Sequence, residues 1–336
     1  MNAIYNRHMK KPRFIQLHNL DPSVIRQELL DGLLQPGAHI SPKYLYDSLG
    51  SRLFEAITEL PEYYPTRTEA RIFVDFKQAM AARIPKGATL IDLGAGNCAK
   101  AASLFSSFEP VRYVAVDISV DFLHHALDSL QHTHPLLDMV GVGLDFSAGL
   151  ALPREAGQAS DGPRLLFYPG SSIGNFAPVD ALNFLRSAHS ACGLGGGSGL
   201  LIGVDLVKGR ADLEAAYDDA LGVTAAFNRN LLLHVNRMAG TDFQVPDWRH
   251  IALFNETESR IEMHLEAVRP ACVRWGQGAQ RDFAAGERIH TENSYKWTVA
   301  GFAQLLSRAG FGEAIHWTDP DRRFAVFWAS ADVKAA

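Results

Sequence analysis

A glycine turn and a nearby carboxylate form the first group of residues in this chain that could bind a cofactor. Residues 91–97 read Ile-Asp-Leu-Gly-Ala-Gly-Asn, and the apolar run 113–116 ends at Asp117. Glycines such as Gly94 and Gly96 let the backbone approach a ligand closely, and a carboxylate at the tip of the next strand can accept hydrogen bonds from both hydroxyls of a ribose. The spacing predicts a site for an adenosine-containing cofactor.

Two cofactors fit this turn. Gly94, Gly96 and Ala99 have the spacing of a dinucleotide-binding turn, which favours a nicotinamide enzyme. Asp92, which stands just before the first glycine, favours S-adenosylmethionine (SAM), because its carboxylate could bind the cofactor's ammonium group or lie near its sulfonium. The helical segment expected before the turn also favours SAM. We therefore predict SAM and keep the nicotinamide cofactor as the alternative.

Three further residues could complete the cofactor site. Asp145 and Phe146 follow a predicted strand, where the amino group of an adenine could bind beside an aromatic ring, although Asp145 could equally be an ordinary turn residue. Lys100, on the first turn of the helix after the glycines, could reach the cofactor carboxylate, although a lysine at such a position is commonly solvated.

Small residues follow the fourth predicted strand, where a substrate could bind. Residues 168–176 read Tyr-Pro-Gly-Ser-Ser-Ile-Gly-Asn-Phe. The carboxyl ends of the strands in a doubly wound sheet form the crevice where ligands bind, and small residues there expose several backbone N–H groups. This turn could hold an amine or carboxylate substrate with Asn175, or it could be a structural turn in which Asn175 caps the helix that begins near Pro178.

The elements expected to position these residues alternate between apolar strands and helices, a pattern typical of a parallel, doubly wound sheet. The predicted strands cover residues 89–92, 112–116, 139–144, 165–168 and 200–204. The predicted helices between them cover residues 98–108, 120–130 and 178–192. The predicted fold class is therefore α/β, with a Rossmann-like sheet.

The segments on either side of this alternation have different patterns. Before it, the sequence predicts helices over residues 22–34 and 53–60, and a third helix that starts at a capping box of Thr66 and Glu69 and ends near Arg83. After Asp205, the predicted elements are one or two helices over 211–236, a hairpin of 251–255 with 260–268, a helix over 297–309 and strands at 314–317 and 323–328.

These patterns divide the chain into three parts. We expect a helical N-terminal segment (1–85), a cofactor-binding core (86–205 and 296–336) and an inserted α+β domain (206–295) that covers the substrate as a lid.

Composition excludes several classes of function. With a net charge of −5 and 21% charged residues, the chain lacks the basic surface of a nucleic-acid-binding protein. Its apolar runs are too short to span a bilayer, and its polar first residues do not form a secretory signal. Cys98, Cys192 and Cys272 show neither metal-ligand spacing nor a disulfide framework. We expect a cytoplasmic monomer that binds no nucleic acid, membrane or metal.

Several longer motifs carry a resemblance to a known family. They lie between about Ser41 and Phe327 and cover residues 46–51, 60–69, 170–175, 216–220, 227–230, 260–263, 291–294 and 317–320. On these motifs the chain resembles the L-histidine Nα-methyltransferases of ergothioneine biosynthesis, which are SAM-dependent class I methyltransferases. The resemblance implies a class I methyltransferase sheet, SAM as cofactor and L-histidine as a small-molecule substrate.

The resemblance also implies roles for individual residues. The implied cofactor contacts are Gly94, Lys100, Asp117, Asp145 and Phe146. The implied substrate contacts are Tyr63, Asn175, Tyr217, Glu292 and Ser294, with Tyr46 and Met263 lining the pocket and Gly170 and Ser172 in its turn. The chain departs from the family pattern at Asn97-Cys98 in the glycine turn and at His290 and Tyr295, which could reshape the imidazole side of the pocket.

The chemistry of these residue types suits histidine. Asn175 and Tyr217 can donate hydrogen bonds to a carboxylate, which leaves the amine free to face the methyl group. Glu292 and Ser294 are two apart on an extended segment, so they point to the same side and can bind both imidazole nitrogens. A carboxylate there would also favour a protonated ring. Taken singly, Tyr217 could be a phenol on a helix surface and Glu292 a solvated charge.

The implied reaction is an in-line displacement in which the neutral α-amine attacks the sulfonium methyl group and S-adenosylhomocysteine leaves. It requires orientation and desolvation but no dedicated general base. Repetition gives the trimethylated betaine hercynine. Three alternatives remain open: an N-methyltransferase for another amino acid or a biogenic amine, a nicotinamide-dependent oxidoreductase, and a non-catalytic protein that only binds SAM.

Overall fold

The computed structural model describes residues 10–17, 21–118, 120–146, 149–157, 161–193, 196–276 and 278–332. Within these residues the chain forms thirteen strands: β1 Arg13–Gln16, β2 Thr89–Leu93, β3 Arg112–Asp117, β4 Asp138–Gly143, β5 Arg164–Tyr168, β6 Gly199–Asp205, β7 Trp248–Asn255, β8 Arg260–Ala267, β9 Ala271–Trp275, β10 Ala279–Phe283, β11 Arg288–Tyr295, β12 Ala314–Thr318 and β13 Phe324–Ser330.

The same residues form ten α-helices: α1 Pro22–Leu34, α2 Ser48–Thr58, α3 Tyr64–Ala81, α4 Ala99–Ala102, α5 Phe105–Phe108, α6 Val120–Thr133, α7 Pro178–Cys192, α8 Arg210–Ala215, α9 Val223–Ala239 and α10 Val299–Arg308. No helix among the described residues is both long enough and apolar enough to cross a bilayer.

The central sheet has eight strands in the order β1-β4-β3-β2-β5-β6-β13-β12. The first six are parallel, whereas β13 runs antiparallel to β6 and β12 runs antiparallel to β13. β2 and β6 are buried at every residue, because helices cover both faces of the sheet. One face packs against α7 and α10, and the other packs against α3 and α6. The fold class is α/β, as the sequence predicts.

Three details of the core differ from the prediction. β1 is an additional edge strand parallel to β4, where the sequence predicts only helices before the glycine turn. The helix predicted over 98–108 is two short helices, α4 and α5, with Ser103 and Leu104 between them. The predicted capping box of Thr66 and Glu69 is wrong: α3 already begins at Tyr64, since the next residue is a proline and proline favours the first helical turn.

The segment after β6 builds a smaller unit. α8 and α9 pack with an antiparallel sheet of order β11-β8-β7, and β9 pairs with β10 in a separate hairpin. Residues of α1 and α2 share one apolar core with α9 and this sheet. The helical segment therefore contributes to two cores, since α1 and α2 pack on the inserted unit and α3 packs on the central sheet.

The shared core predicts a stability difference between two leucines of α9. Leu231 is fully buried in that core, whereas Leu233 is 42% exposed on the same helix. Leu231→Ala should lower the free energy of unfolding by about 2–5 kcal/mol, because it leaves a cavity between α9 and its neighbours. Leu233→Ala is the matched control and should change it by less than about 0.5 kcal/mol. Denaturant titration of both variants measures the difference, and equal losses would contradict this packing.

Candidate active site

The central sheet has a ligand-binding crevice where the order of its strands reverses. β2 has β3 on one side and β5 on the other, so the chain moves outward through β3 and β4 and then returns to β5. Ligands of open α/β sheets bind outside the carboxyl ends of the strands at such a position. Gly94 directly follows β2, and the turn that contains Gly170 follows β5. Both predicted glycine turns therefore border the same crevice.

The turn after β2 is shaped for the close approach of a ligand. Gly94 and Gly96 have positive φ angles of 73° and 51°, which residues with side chains rarely adopt. The N–H of Gly96 donates to Oδ2 of Asp117 at 3.0 Å, so the carboxylate lies directly beside the turn. A carboxylate has enough lone pairs to accept further hydrogen bonds from ribose hydroxyls.

Asp145 and Phe146 lie beside the same turn. A Cβ atom on Gly94 would lie 3.8 Å from Cζ of Phe146, so the aromatic ring contacts the space that the missing side chain leaves. Asp145 is 3.5 Å from the ammonium of Lys43, which links the cofactor crevice to the segment before α2. An exposed glycine backbone, a carboxylate at a strand end and an aromatic face together fit the adenosine part of SAM.

Lys100 pairs with a buried carboxylate at the edge of the crevice, and its contact with the cofactor carboxylate stays a prediction. Its ammonium lies 2.6 Å from Oε2 of Glu69, a carboxylate that is fully buried in α3. Oε1 of Glu69 accepts the N–H of Gly170 at 2.7 Å. A Cβ atom on Gly203 would overlap that oxygen, so only glycine in β6 leaves room for it. Glu69 thus joins the two edges of the crevice, a role that its position in the sequence does not reveal.

Asp92 does not face the crevice, contrary to the expectation that it binds the cofactor's ammonium group. It is 2% exposed inside β2, and its Oδ2 accepts the hydroxyl of Tyr113 at 2.8 Å. Alternation along β2 places its side chain with Leu90 on the face covered by α3. Burial raises the pKa of Asp92 to about 7, although the Tyr113 hydroxyl and the Lys100 ammonium act in the opposite direction.

The residues predicted to bind the substrate meet where the turn after β5 packs against β11. A Cβ atom on Gly174 would lie 2.9 Å from the carbonyl oxygen of Tyr295 and 3.4 Å from Oγ of Ser294. Asn175 follows Gly174 directly, at the end of the 3-10 turn Ser172–Asn175. The structure therefore brings Asn175, Gly170 and Ser172 to the same side of the crevice as β11.

Glu292 is buried among aromatic side chains. It is 7% exposed and pairs in register with Met263 of β8, which is 1% exposed. Burial raises the pKa of Glu292 to about 7, and Lys296 opposes the shift. Burial also raises the pKa values of Tyr46 and Tyr63, and the Glu292 carboxylate contributes to both shifts. These phenols therefore remain neutral hydrogen-bonding groups around the carboxylate.

Ser294 lies on the same face of β11 as Glu292, as the period of two predicts. Its Oγ accepts the hydroxyl of Tyr217 at 2.7 Å and the ammonium of Lys296 at 2.8 Å. The ring of Tyr217 stands edge-on to that of Tyr63, with centroids 6.2 Å apart. The Tyr217 hydroxyl therefore donates to Ser294, and its donation to a substrate carboxylate stays a prediction. We call Tyr46, Tyr63, Tyr217, Glu292 and Ser294 the substrate pocket.

The departures at His290 and Tyr295 lie away from this pocket. His290 pairs with His264, whereas Glu292 pairs with Met263 on the opposite face of the sheet. The hydroxyl of Tyr295 accepts a hydrogen bond from Arg260. The expectation that these two residues reshape the imidazole side of the pocket is therefore wrong.

Two buried groups of the site were missed by the sequence analysis. Asp205, at the end of β6, is 1% exposed and lies 2.8 Å from the ammonium of Lys296. The alternation that pairs Glu292 with Ser294 continues to Lys296, so a period of two could have identified this lysine. Asp205 could have been noticed as a carboxylate at the carboxyl end of an otherwise apolar central strand.

The cofactor crevice and the substrate pocket adjoin. The Asp117 carboxylate and the Glu292 carboxylate both contribute to the raised pKa of Tyr46, so this phenol lies within electrostatic range of both sites. Gly170 borders the crevice, and the 3-10 turn Ser172–Asn175 that follows it packs against β11. A group transferred from a cofactor at Gly94 would therefore meet a substrate held beside Glu292.

The sheet and this crevice are those of a Rossmann-like α/β fold with room for an adenosine-containing cofactor. A sequence model described as "Histidine-specific methyltransferase, SAM-dependent" matches residues 25–331. The chain belongs to this family. The protein is therefore a SAM-dependent methyltransferase, and the nicotinamide alternative is excluded.

Characterised relatives cover nearly the whole chain. The histidine N-alpha-methyltransferase of Mycolicibacterium smegmatis is 37% identical over 90% of this chain and 93% of its own length. The histidine N-alpha-methyltransferase of Mycobacterium tuberculosis is 36% identical over 91% of this chain and 94% of its own length. Ergothioneine biosynthesis protein 1 of Neurospora crassa is 33% identical over 82% of this chain, which corresponds to 31% of that longer protein.

The bridge between Glu69 and Lys100 predicts an effect on cofactor affinity. Glu69→Gln keeps the shape of the side chain but removes the charge that holds Lys100 and Gly170. Hydrogen bonds to charged groups contribute about 1.5–3 kcal/mol, so SAM binding should weaken roughly tenfold to a hundredfold. Asp75→Asn is the matched control, since Asp75 pairs with Arg71 on the exposed side of the same helix. Calorimetry with SAM should separate the two variants, and equal affinities would argue against the bridge.

The raised pKa of Glu292 predicts a pH-dependent stability. The folded protein holds this proton more tightly than the unfolded chain, because the pKa is about 7 in the fold and 4.5 outside it. The protonated Glu292 therefore stabilises the fold at low pH. This contribution to the free energy of unfolding is lost as pH rises from about 4.5 to 7, by up to about 3 kcal/mol. Glu292→Gln has no carboxyl group to titrate at this position. The free energy of unfolding of this variant should therefore rise relative to that of the unliganded wild-type protein between pH about 5 and 8. Denaturant midpoints measured across that range test this, and a constant difference would contradict it.

Proposed function

We propose that this methyltransferase transfers the methyl group of SAM to the α-amino group of L-histidine, and that repetition gives the trimethylated betaine hercynine. The observation that carries the proposal is the buried Glu292 carboxylate with the Ser294 hydroxyl beside it on β11. Such a pair suits the two nitrogens of an imidazole, since one atom accepts and the other can donate. The names of the two mycobacterial relatives support the same substrate and the same nitrogen.

The pocket supports one orientation of the substrate. With the imidazole at Glu292 and Ser294, the carboxylate of histidine would reach the amide of Asn175 at the rim of the crevice. The Tyr217 oxygen donates its hydrogen to Ser294, so it would face the substrate as an acceptor and could orient an N–H of the α-amine. The amine would then be presented toward the crevice that holds the cofactor.

We propose that five residues hold the cofactor: Gly94, Lys100, Asp117, Asp145 and Phe146. SAM supplies, when bound, a methyl group on a positively charged sulfur that a neutral amine can attack. Lys100 would act from its place on Glu69, where its charge remains at the edge of the crevice.

The residues of the pocket contribute orientation and the exclusion of water. The phenols of Tyr46 and Tyr63 close the pocket around Glu292, and burial keeps both hydroxyls neutral by raising their pKa values. Holding the two reactants in one geometry removes much of the entropic cost of the reaction. The amine proton would leave to solvent along the crevice, because this orientation brings no buried base of the described residues to the α-amine.

Repeated methylation constrains the contact at the amine. Each round replaces an N–H by a methyl group, so an orientation that depended on an amine hydrogen bond would fail in the last round. Asn175, Glu292 and Ser294 would hold the carboxylate and the ring, and these contacts persist through all rounds. The pocket therefore fixes the parts of the substrate that do not change.

Wider context belongs to the same proposal. We propose a role in ergothioneine biosynthesis, which the name of the Neurospora crassa relative supports. We also propose a cytoplasmic monomer with the three-part division 1–85, 86–205 with 296–336, and 206–295, in which the inserted unit covers the substrate as a lid. A second candidate substrate is another amino acid or a biogenic amine, but an indole offers an N–H to Glu292 and no bare nitrogen to Ser294.

The test is mass spectrometry of the products formed by the purified protein with SAM and each of the twenty amino acids. L-histidine should be converted, with mass increases of one, two and finally three methyl groups at the α-nitrogen. Conversion of a different amino acid in preference to histidine would overturn the proposal.

Glu292→Ala provides the matching variant. It should weaken histidine binding strongly and leave SAM binding nearly unchanged, because Glu292 lies in the substrate pocket and away from Gly94. Asn293→Ala is the control, since Asn293 bonds to His290 on the other face of β11. Calorimetry with each ligand distinguishes the effects, and equal loss of histidine and SAM binding would refute the role of Glu292.

A further inference from the structure

Lys296 is a buried ammonium group that the proposed function does not use. Its side chain is fully buried and lies 2.8 Å from Oδ2 of Asp205. It also donates to Oγ of Ser294 at 2.8 Å and to the hydroxyl oxygen of Tyr217 at 3.2 Å. The three N–H donors of this lysine therefore have three partners, and two of them are hydroxyls of the substrate pocket.

These contacts determine what Ser294 can offer to a ligand. Its oxygen accepts hydrogen bonds from Lys296 at 2.8 Å and from the Tyr217 hydroxyl at 2.7 Å. A hydroxyl group has two acceptor sites and one donor hydrogen. A phenol is a stronger acid than an alcohol, so Tyr217 is the donor of this hydroxyl pair. Both acceptor sites of Ser294 are therefore occupied, and only its own hydrogen is left for a substrate.

A donating Ser294 requires an unprotonated nitrogen opposite it. A neutral imidazole has one N–H and one bare nitrogen, whereas an imidazolium has two N–H groups and no acceptor. We propose that Lys296 is a positioning residue that makes the pocket bind the neutral imidazole, with its N–H donated to Glu292 and its bare nitrogen facing Ser294. This inference rests on the proposed function, because it takes L-histidine as the ligand of the pocket.

The charged groups around the pocket also influence the protonation state of a bound imidazole. The ionisable groups that face the ring position from the surrounding elements are Tyr46 before α2, Tyr63 before α3, Asp205 at the end of β6, Tyr217 after α8, Glu292 in β11 and Lys296 after it. The phenols carry no charge, because their pKa values are raised. Asp205 is balanced by Lys208 and Lys296.

Glu292 alone would favour an imidazolium, which is the expectation from the sequence. Lys296 opposes it, because a ring nitrogen bonded to Ser294 would be separated from the ammonium by one oxygen atom, and a like charge disfavours protonation. Burial disfavours the charged ring as well. The two effects together with the occupied acceptor sites of Ser294 favour the neutral form.

The test compares two ligands of wild-type protein saturated with S-adenosylhomocysteine. L-histidine is one, and the other is its 1,2,4-triazol-3-yl analogue, whose ring offers N–H and bare nitrogen atoms but stays neutral at these pH values. The measured quantity is the ratio of the two dissociation constants, Kd of histidine over Kd of the analogue. The effects of ionisation of the α-amine and of Glu292 cancel in this ratio, because they act on both ligands alike. Calorimetry between pH about 5 and 8.5 spans the ordinary imidazole pKa of about 6.5.

A pocket that binds only the neutral ring predicts one dependence of the Kd ratio on pH. The ratio should be flat above pH about 6.5 and rise about tenfold for each unit below it, because histidine must lose a proton to bind. A ratio that is flat at acid pH and rises at alkaline pH would overturn the inference, as would a ratio that does not change. If neither ligand binds while SAM does, the proposed function itself fails, and this inference falls with it.

Two lysine variants assign the effect to Lys296. Lys296→Met frees one acceptor site on Ser294 and removes the like charge, so the rise at acid pH should be lost or greatly reduced. Lys208→Met is the matched control, since Lys208 also pairs with Asp205 but bonds to Tyr64 and not to Ser294. It should retain the acid rise of wild type. Loss of the rise in both variants would indicate a general effect of Asp205 and overturn the assignment, and the wild-type profile remains decisive if Lys296→Met does not fold.

Discussion

The structure depends on one buried carboxylate at the end of β6. Asp205 accepts hydrogen bonds from Tyr64 at the start of α3 and pairs with Lys208 and Lys296, and its backbone N–H donates to Ser171 in the turn after β5. The two ammonium groups outweigh burial and hold the pKa of Asp205 below its ordinary value. Because these partners come from distant parts of the chain, one charged cluster fixes the central sheet, the first helices and the inserted unit relative to one another.

The sequence predicts the central sheet well because its strands are apolar on both faces. Runs such as 112–116 and 200–204 indicate buried parallel strands, and the strands of the structure end within one residue of the predicted ends. β1 could not be predicted in this way, since it is a four-residue edge strand that is only half-buried. The capping box at Thr66 failed because tertiary contacts decided the position of Glu69, whose carboxylate holds Gly170 and Lys100 instead of the helix end.

The sequence predicts which pocket residues lie together when they share one strand. It does not predict contacts between residues that are distant in the chain. Glu292 and Ser294 follow from a period of two, which the register with Met263 supports. The hydroxyl pair of Ser294 and Tyr217 is 77 residues apart in the chain, and the direction of its hydrogen bond depends on a third residue, Lys296. Hydrogen-bond direction at such a site is a property of the whole cluster, so residue types alone did not indicate that Tyr217 donates to Ser294.

The described residues give the buried Glu292 carboxylate none of the hydrogen bonds that would stabilise its charge in the unliganded protein. The raised pKa of Glu292 shows that its charged form is poorly solvated in the fold, and no side chain of the described residues donates a hydrogen bond to it. A ligand N–H would supply the missing bond, whereas a ligand without one would leave the charge unpaired and buried. The unpaired carboxylate of the unliganded site therefore favours ligands that have an N–H donor over ligands that lack one. Such a pocket suits a ligand that places an N–H at Glu292, because the described part of the chain supplies no side-chain donor there.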